Sequence, residues 1–192
     1  MAERPHDLAI TIRATLSPEE HGSFDAVEAA AFGEAEWTEE QHREVTDRYS
    51  SAADANGYVL AHVGDRLVGT IRLFTRAVPF NGRMVRLGGL GGIATHPDWR
   101  GRGIAEAAVR AAMEELQQQG TEVAYLCSVP ELGQRLYAKV GFAPLGRPYT
   151  YRGRSGKGYT DHDGWLAPLT DPVLCAAMLT DTEPLDLAGS NW

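Results

Sequence analysis

A chain of 192 residues with 43% hydrophobic and 23% charged side chains is long enough to bury a substantial core, and its balance is ordinary for a globular protein read as one domain, residues 1–192. Its formal net charge of -8 and pI near 5.2 argue against nucleic acid as a partner, because duplex binding rests on neutralising phosphates with Lys and Arg. No stretch approaches the apolar length of a membrane span, and Met1 to Asp7 lacks the charged, apolar and cleavage regions of a signal peptide; the expected compartment is the cytoplasm, with no membrane partner.

The acidic surface serves solubility and also suits a cationic ligand. Cys127 and Cys175, far apart in apolar surroundings, read as buried free thiols rather than a disulfide framework. The histidines never fall at metal-ligand spacing, so no metal site is expected.

In chain order, Asp7 to Arg13 alternates with β-branched residues and predicts a first strand. Ser17-Pro18-Glu19-Glu20 is a capping box with proline at the first helical position, opening a helix towards Phe32; Thr38-Glu39-Glu40-Gln41 opens a second. Between them lies the acidic loop Gly33-Glu34-Ala35-Glu36-Trp37, which reads as solvated helix-flanking charge or as a ligand-facing loop. Gly57 to Val63 and Leu67 to Phe74 are strand-like and joined by Gly64-Asp65-Arg66. Asn81-Gly82, between Val78-Pro79-Phe80 and Arg83-Met84-Val85, predicts a tight type I′ turn.

The last strand of this antiparallel meander runs into Gly88-Gly89-Leu90-Gly91-Gly92, where glycine marks a bulge or a close backbone approach. A helix follows Gly103, with Ile104, Ala108, Ala111 or Ala112, and Leu116 on one face. Val123 to Cys127 predicts a buried strand, and Pro130 to Val140 a helix with Leu132, Leu136 and Val140 aligned. Phe142 onward is strand-like up to a turn at Arg154-Ser155-Gly156-Lys157-Gly158, and Gly164 to Leu169 gives a last strand. The sum is a mixed α/β sheet with antiparallel and parallel parts.

The loop Arg100-Gly101-Arg102-Gly103-Ile104-Ala105 delivers a strand into a helix whose first amides lack partners, which makes an anion site. A nucleoside-triphosphate loop needs Lys then Ser or Thr at its end, where Ile104 and Ala105 stand. A dinucleotide fingerprint needs the first strand of a βαβ unit and an acidic residue ending the next; here several strands precede the loop and Glu122 opens the next strand.

The remaining pattern, Arg or Gln, two residues, Gly, one residue, Gly or Ala, resembles the acetyl-coenzyme A loop of the GCN5-related N-acetyltransferase (GNAT) superfamily. Ile93-Ala94-Thr95-His96-Pro97-Asp98-Trp99 is similar to that superfamily's fourth strand and its turn, and Gln134 to Phe142 to its fourth helix and sixth strand. The resemblance implies an α/β (α+β) fold: a single mixed sheet of about seven strands flanked by about four helices, an antiparallel N-terminal meander, and splayed fourth and fifth strands. It also implies acetyl-CoA as donor, Ile93, Ala94, Thr95, Arg100, Gly101, Arg102, Gly103, Ile104 and Ala105 as its binding residues, Tyr137 as proton donor to the thiolate, and a homodimer.

Gly91 stands where many members carry a glutamate base, which leaves Glu34, Glu36, Asp161, His162, Asp163 or a water held by backbone carbonyls for that task. The acidic tryptophan-bearing loop, Asp98-Trp99-Arg100-Gly101, Arg135-Leu136-Tyr137, Asp161-His162-Asp163-Gly164 and the closing Trp192 resemble the aminoglycoside 2'-N-acetyltransferases. That resemblance implies a small cationic amine substrate, in the setting of antibiotic modification, met by Glu34 or Glu36, Asp161 or Asp163, and the carboxylate of Trp192. A peptide amine, a polyamine or another metabolite amine stays open as acceptor, as does an acyl-CoA-binding domain without transfer. Nodulation acyltransferases are a weaker resemblance and imply a longer acyl donor.

Overall fold

The computed structural model describes residues 5–33 and 38–192. The chain runs β1 (Leu8–Arg13), α1 (Pro18–Phe32), α2 (Glu39–Arg48), β2 (Gly57–Val63), β3 (Arg66–Phe80), β4 (Arg83–Thr95), α3 (Ile104–Gln118) and β5 (Val123–Cys127). It continues with α4 (Pro130–Arg135), β6 (Ala143–Pro144), β7 (Tyr149–Arg152), β8 (Gly158–Asp161), β9 (Gly164–Pro168), α5 (Pro172–Thr180) and β10 (Leu185–Asp186). The main sheet has seven strands in the order β1-β2-β3-β4-β5-β9-β6, with β4 and β5 parallel and all its other pairs antiparallel. The expected mixed sheet is therefore present. A second, three-stranded sheet, β10-β7-β8, was not among the expectations, and neither was α5.

Local chemistry sets these elements. Ser17 and Glu20 close one reciprocal capping box and Thr38 and Gln41 the other, fixing the starts of α1 and α2. Asn81 and Gly82 at φ 47° and 76° make the mirror-image turn that joins β3 to β4. One expected element is corrected: the helix from Pro130 to Val140 breaks at Leu136 (φ -115°, ψ -60°), and Tyr137–Val140 forms a separate 3-10 turn ended by Gly141 at φ 98°. The segment must turn back sharply for Phe142 to enter β6, and a tighter 3-10 turn does so in fewer residues.

Alternation along β3, β4 and β5 gives the main sheet two apolar faces. Ile71, Leu73, Leu90, Ala124 and Leu126 face α3, whose Ala108, Val109, Ala112 and Leu116 are buried against them. Phe74, Leu87, Val123 and Tyr125 face the other way, onto Tyr149, Met178, Leu187 and Trp192. Among the described residues no helix is long and apolar enough to cross a membrane.

Candidate active site

Three registers pair β4 with β5: Leu87 with Val123, Gly88 with Ala124, and Gly89 with Tyr125. Pairing stops there, although β4 continues to Thr95, so the edge of β4 from Leu90 onward faces an opening rather than a strand. The cause lies on the other edge. Thr70 pairs with Ala94 but Arg72 pairs with Gly91, so Gly92 and Ile93 together oppose Ile71. This is a β-bulge with Gly92 at φ 57°, a conformation glycine adopts without steric cost, and it bends β4 away from β5. Backbone groups freed by the bend need partners, and an extended ligand arm fits there.

The glycine-rich run fills with groups from outside the strand. A Cβ at Gly89 would overlap the Trp192 indole, which stacks on Phe74 at 5.8 Å and carries the Arg76 guanidinium 4.6 Å above it. A Cβ at Gly91 would come within 2.9 Å of the Phe74 ring and 3.2 Å of the Trp192 main-chain carbonyl carbon. At Gly92 it would lie 2.5 Å from Glu28 Oε1 and 2.7 Å from Arg72 Nη1. The space a β4 glutamate would need is thus taken by ring and main chain.

At the far end of β4 the chain turns through Pro97–Trp99 into α3. The side chains of Ser17, Thr38 and Asp171 cap α1, α2 and α5, whereas Gly103 opens α3 at φ 72° and offers no side-chain cap among the described residues. The first amides of α3 are left for an outside acceptor, with the positive end of the helix dipole behind them. Gly101 at φ 77° has open space where a Cβ would point, so the loop presents bare backbone. These features fit a pyrophosphate. Arg102 lies 4.8 Å over the Trp99 ring. Arg100 is turned elsewhere: its Nη2 donates to Ala31 O at 2.7 Å and its Nε to Thr95 O at 3.3 Å, tying the loop to the last turn of α1.

Tyr137 is only 4% exposed and packs edge-on against Phe142. Burial, with a smaller contribution from Cys127, pushes its hydroxyl up to about 12, so it keeps its proton through neutral pH. Cys127, at the end of β5, is raised to about 12 by burial and then by Asp163 and Asp161; its Sγ donates to Trp192 O at 3.2 Å. It is a packed neutral thiol, as its surroundings in the sequence predict.

The acidic residues expected to meet a substrate have different circumstances. Asp161 accepts from Arg48 Nη2 through both oxygens at 2.7 Å and from the Tyr151 hydroxyl at 2.7 Å, so its charge is already balanced. Among the described residues the Asp163 carboxylate accepts one bond, from the Tyr149 hydroxyl at 2.6 Å. Asn191 joins that bond to the opening: its Nδ2 donates to the Tyr149 oxygen, and its Oδ1 accepts from Tyr125 and from Trp192 N at 2.9 Å each. Glu34 and Glu36 lie outside the described residues. Among the described residues no group of three or more His, Cys, Asp or Glu could hold a metal.

The expectations did not include Glu28. It occupies the stripe Phe24, Val27, Glu28, Ala31 on α1, an acidic residue on the face that packs on the sheet. Arg72 of β3 grips both its oxygens, Nη2 donating to Oε2 at 2.6 Å and Nη1 to Oε1, and the same guanidinium lies 4.8 Å over the Phe24 ring. A charge on an apolar stripe was the available signal.

A family model described as an acetyltransferase (GNAT) domain matches residues 12–145. Among solved structures, the chain is similar to a GNAT family N-acetyltransferase from Escherichia coli in complex with CoA, at 16% identity over 97% of this chain and 91% of that one, with a TM-score of 0.60. A GNAT family acetyltransferase from Brucella melitensis in complex with acetyl-CoA is 21% identical over 70% of this chain and 83% of its own, with a TM-score of 0.51. A probable N-acyltransferase from Enterococcus faecalis is 18% identical over 75% of this chain and 34% of its own, at 0.57. This chain spans about a third of the length of that relative. At such identities the likeness is one of fold. No curated protein matches the chain. The family model covers well over half of the sequence, its range taking in β4 and α3, and the chain belongs to the GNAT acetyltransferase domain family.

Proposed function

We propose that the chain is an acetyl-CoA-dependent N-acetyltransferase that acetylates a primary amine of an aminoglycoside or related aminosugar. The observation that carries the donor half is the glycine-opened start of α3 beside the opening between β4 and β5. Amides of residues 101–105 hold the pyrophosphate, Arg102 adds charge, and Arg100 adds potential while bracing the loop on α1. Ile93, Ala94 and Thr95 lie on the bent edge of β4 and take the extended arm of the donor. The thioester supplies an activated acetyl group; this chain's residues orient it and move protons. Tyr137, which burial keeps neutral, gives its proton to the departing sulfur.

The net charge of -8 and the acidic β8–β9 turn support a cationic acceptor, with Asp163, Glu34, Glu36 and the main-chain end of Trp192 as its contacts. Asp161 contributes less, because Arg48 balances it. That pairing favours, as second reading, an acceptor with fewer charges, such as a peptide amine.

Thiol release from acetyl-CoA, followed with tobramycin, kanamycin, spermidine and a free-amine peptide, tests both halves. Turnover with an aminosugar is the expected result. Turnover with the peptide alone overturns the acceptor, and coenzyme binding with no transfer to any amine makes this an acyl-CoA-binding domain.

A further inference from the structure

Gly91 leaves β4 without a carboxylate, and the cleft must still take a proton from an ammonium before the amine can attack. The described acidic groups near the opening divide cleanly. Asp161 already accepts three hydrogen bonds, two from Arg48 and one from Tyr151, and Asp163, in the β8–β9 turn, accepts one from Tyr149. Glu28 alone touches the bulge itself, its Oε1 resting where a side chain at Gly92 would begin. Its side chain is 15% exposed, mostly shielded from solvent. We propose that Glu28 of α1 is the carboxylate that accepts the proton of the attacking amine, held in place by Arg72 as a positioning residue. The inference rests on the acetyltransferase reading above.

The geometry suits the task. Arg72 takes one lone pair from each oxygen, and an ionised carboxylate has about four, so sites remain for an amine or a water. Among the described residues the charged groups that act on Glu28 are Arg72 from β3 and Asp25 on its own helix, and β4 meets it at Gly92. Burial outweighs the arginine and raises the carboxyl above its ordinary value of 4.5, which keeps it more basic than a paired surface glutamate. In the step, nitrogen forms the bond to the acetyl carbon and the carbon–sulfur bond breaks. Glu28 first takes a proton from the ammonium and releases it to solvent; after attack the second nitrogen proton passes to Glu28, the sulfur takes a proton from Tyr137, and both groups then exchange with solvent.

The test compares two nucleophiles in the same protein: the best amine of the panel, charged at neutral pH, and hydroxylamine, largely uncharged there. Glu28→Gln should lower kcat/KM about 100-fold for the amine, the scale of general-base help, and only a few-fold for hydroxylamine. Equal losses for both overturn the proposal and leave Glu28 a structural partner of Arg72. If Glu28→Gln misfolds because Arg72 is left unpaired, the double variant Glu28→Gln/Arg72→Met carries the same comparison. Without coenzyme, the stability of the wild type relative to Glu28→Gln should fall as pH rises above 4.5, since a carboxyl raised on folding stabilises only while protonated. A flat difference removes the basic carboxyl and the proposal with it. Wild-type protein that acetylates neither nucleophile overturns the acetyltransferase reading itself.

Discussion

Tyr137 and Gly103 make opposite demands on their surroundings, and each can be tested alone. Burial holds the tyrosine's proton: with its hydroxyl pushed up to about 12, it stays protonated at pH values where an ordinary tyrosine near 10 has begun to ionise. Tyr137→Phe should lower kcat about 100-fold while leaving the calorimetric affinity for CoA within about threefold. Unchanged turnover removes its acid role. In the wild type, the alkaline limb of kcat should show no tyrosine ionisation up to pH 10. Gly103 acts on binding instead. At φ 72° an aspartate is strained and sets a negative charge at the start of α3, so Gly103→Asp should weaken CoA at least about tenfold in the same calorimetry, without lowering the melting temperature by more than a few degrees.

At the scale of elements, β4 decides the architecture. Its glycines are each spoken for by a different neighbour: Thr121 and Leu116 at Gly88, the Trp192 indole at Gly89, Phe74 at Gly91, Glu28 and Arg72 at Gly92. Gly89→Val should therefore displace the indole and cost about 1–3 kcal/mol in urea unfolding, the range for overpacking, with Trp192 fluorescence reporting the shift. Unaltered stability and emission would mean that the indole packs elsewhere. Strands and helices with strong local patterns were legible before any coordinates: β2 and β5 match their expected bounds, and both capping boxes form as read. The β10-β7-β8 sheet was not, because two-to-four-residue strands carry no period and owe their existence to long-range pairs such as Leu185 with Tyr149. The helix α5 carried its own signals, Asp171 as cap and Pro172 at the first position, but lies beyond Gly164 to Leu169, the last element expected.

Across the whole molecule, the donor side was far easier to read than the acceptor side, and the reason is physical. A pyrophosphate is held by contiguous backbone amides, so its signature is local, and residues 100–105 carry it in a few letters. An acceptor is held by side chains that meet only after folding. Glu28 and Arg72 are 44 positions apart, and Arg48 and Asp161 are 113 apart. Folding therefore both brings Glu28, which no motif marks, to the β4 bulge and pairs Asp161, which stands in a plain acidic turn, with Arg48. We propose that the opening between β4 and β5, with the bare start of α3 at its mouth, holds the coenzyme. A crystal structure with CoA decides it: the pyrophosphate should lie on the amides of residues 101–105 and the pantetheine arm should run along β4 past Ile93, whereas CoA bound away from the opening would rule this site out.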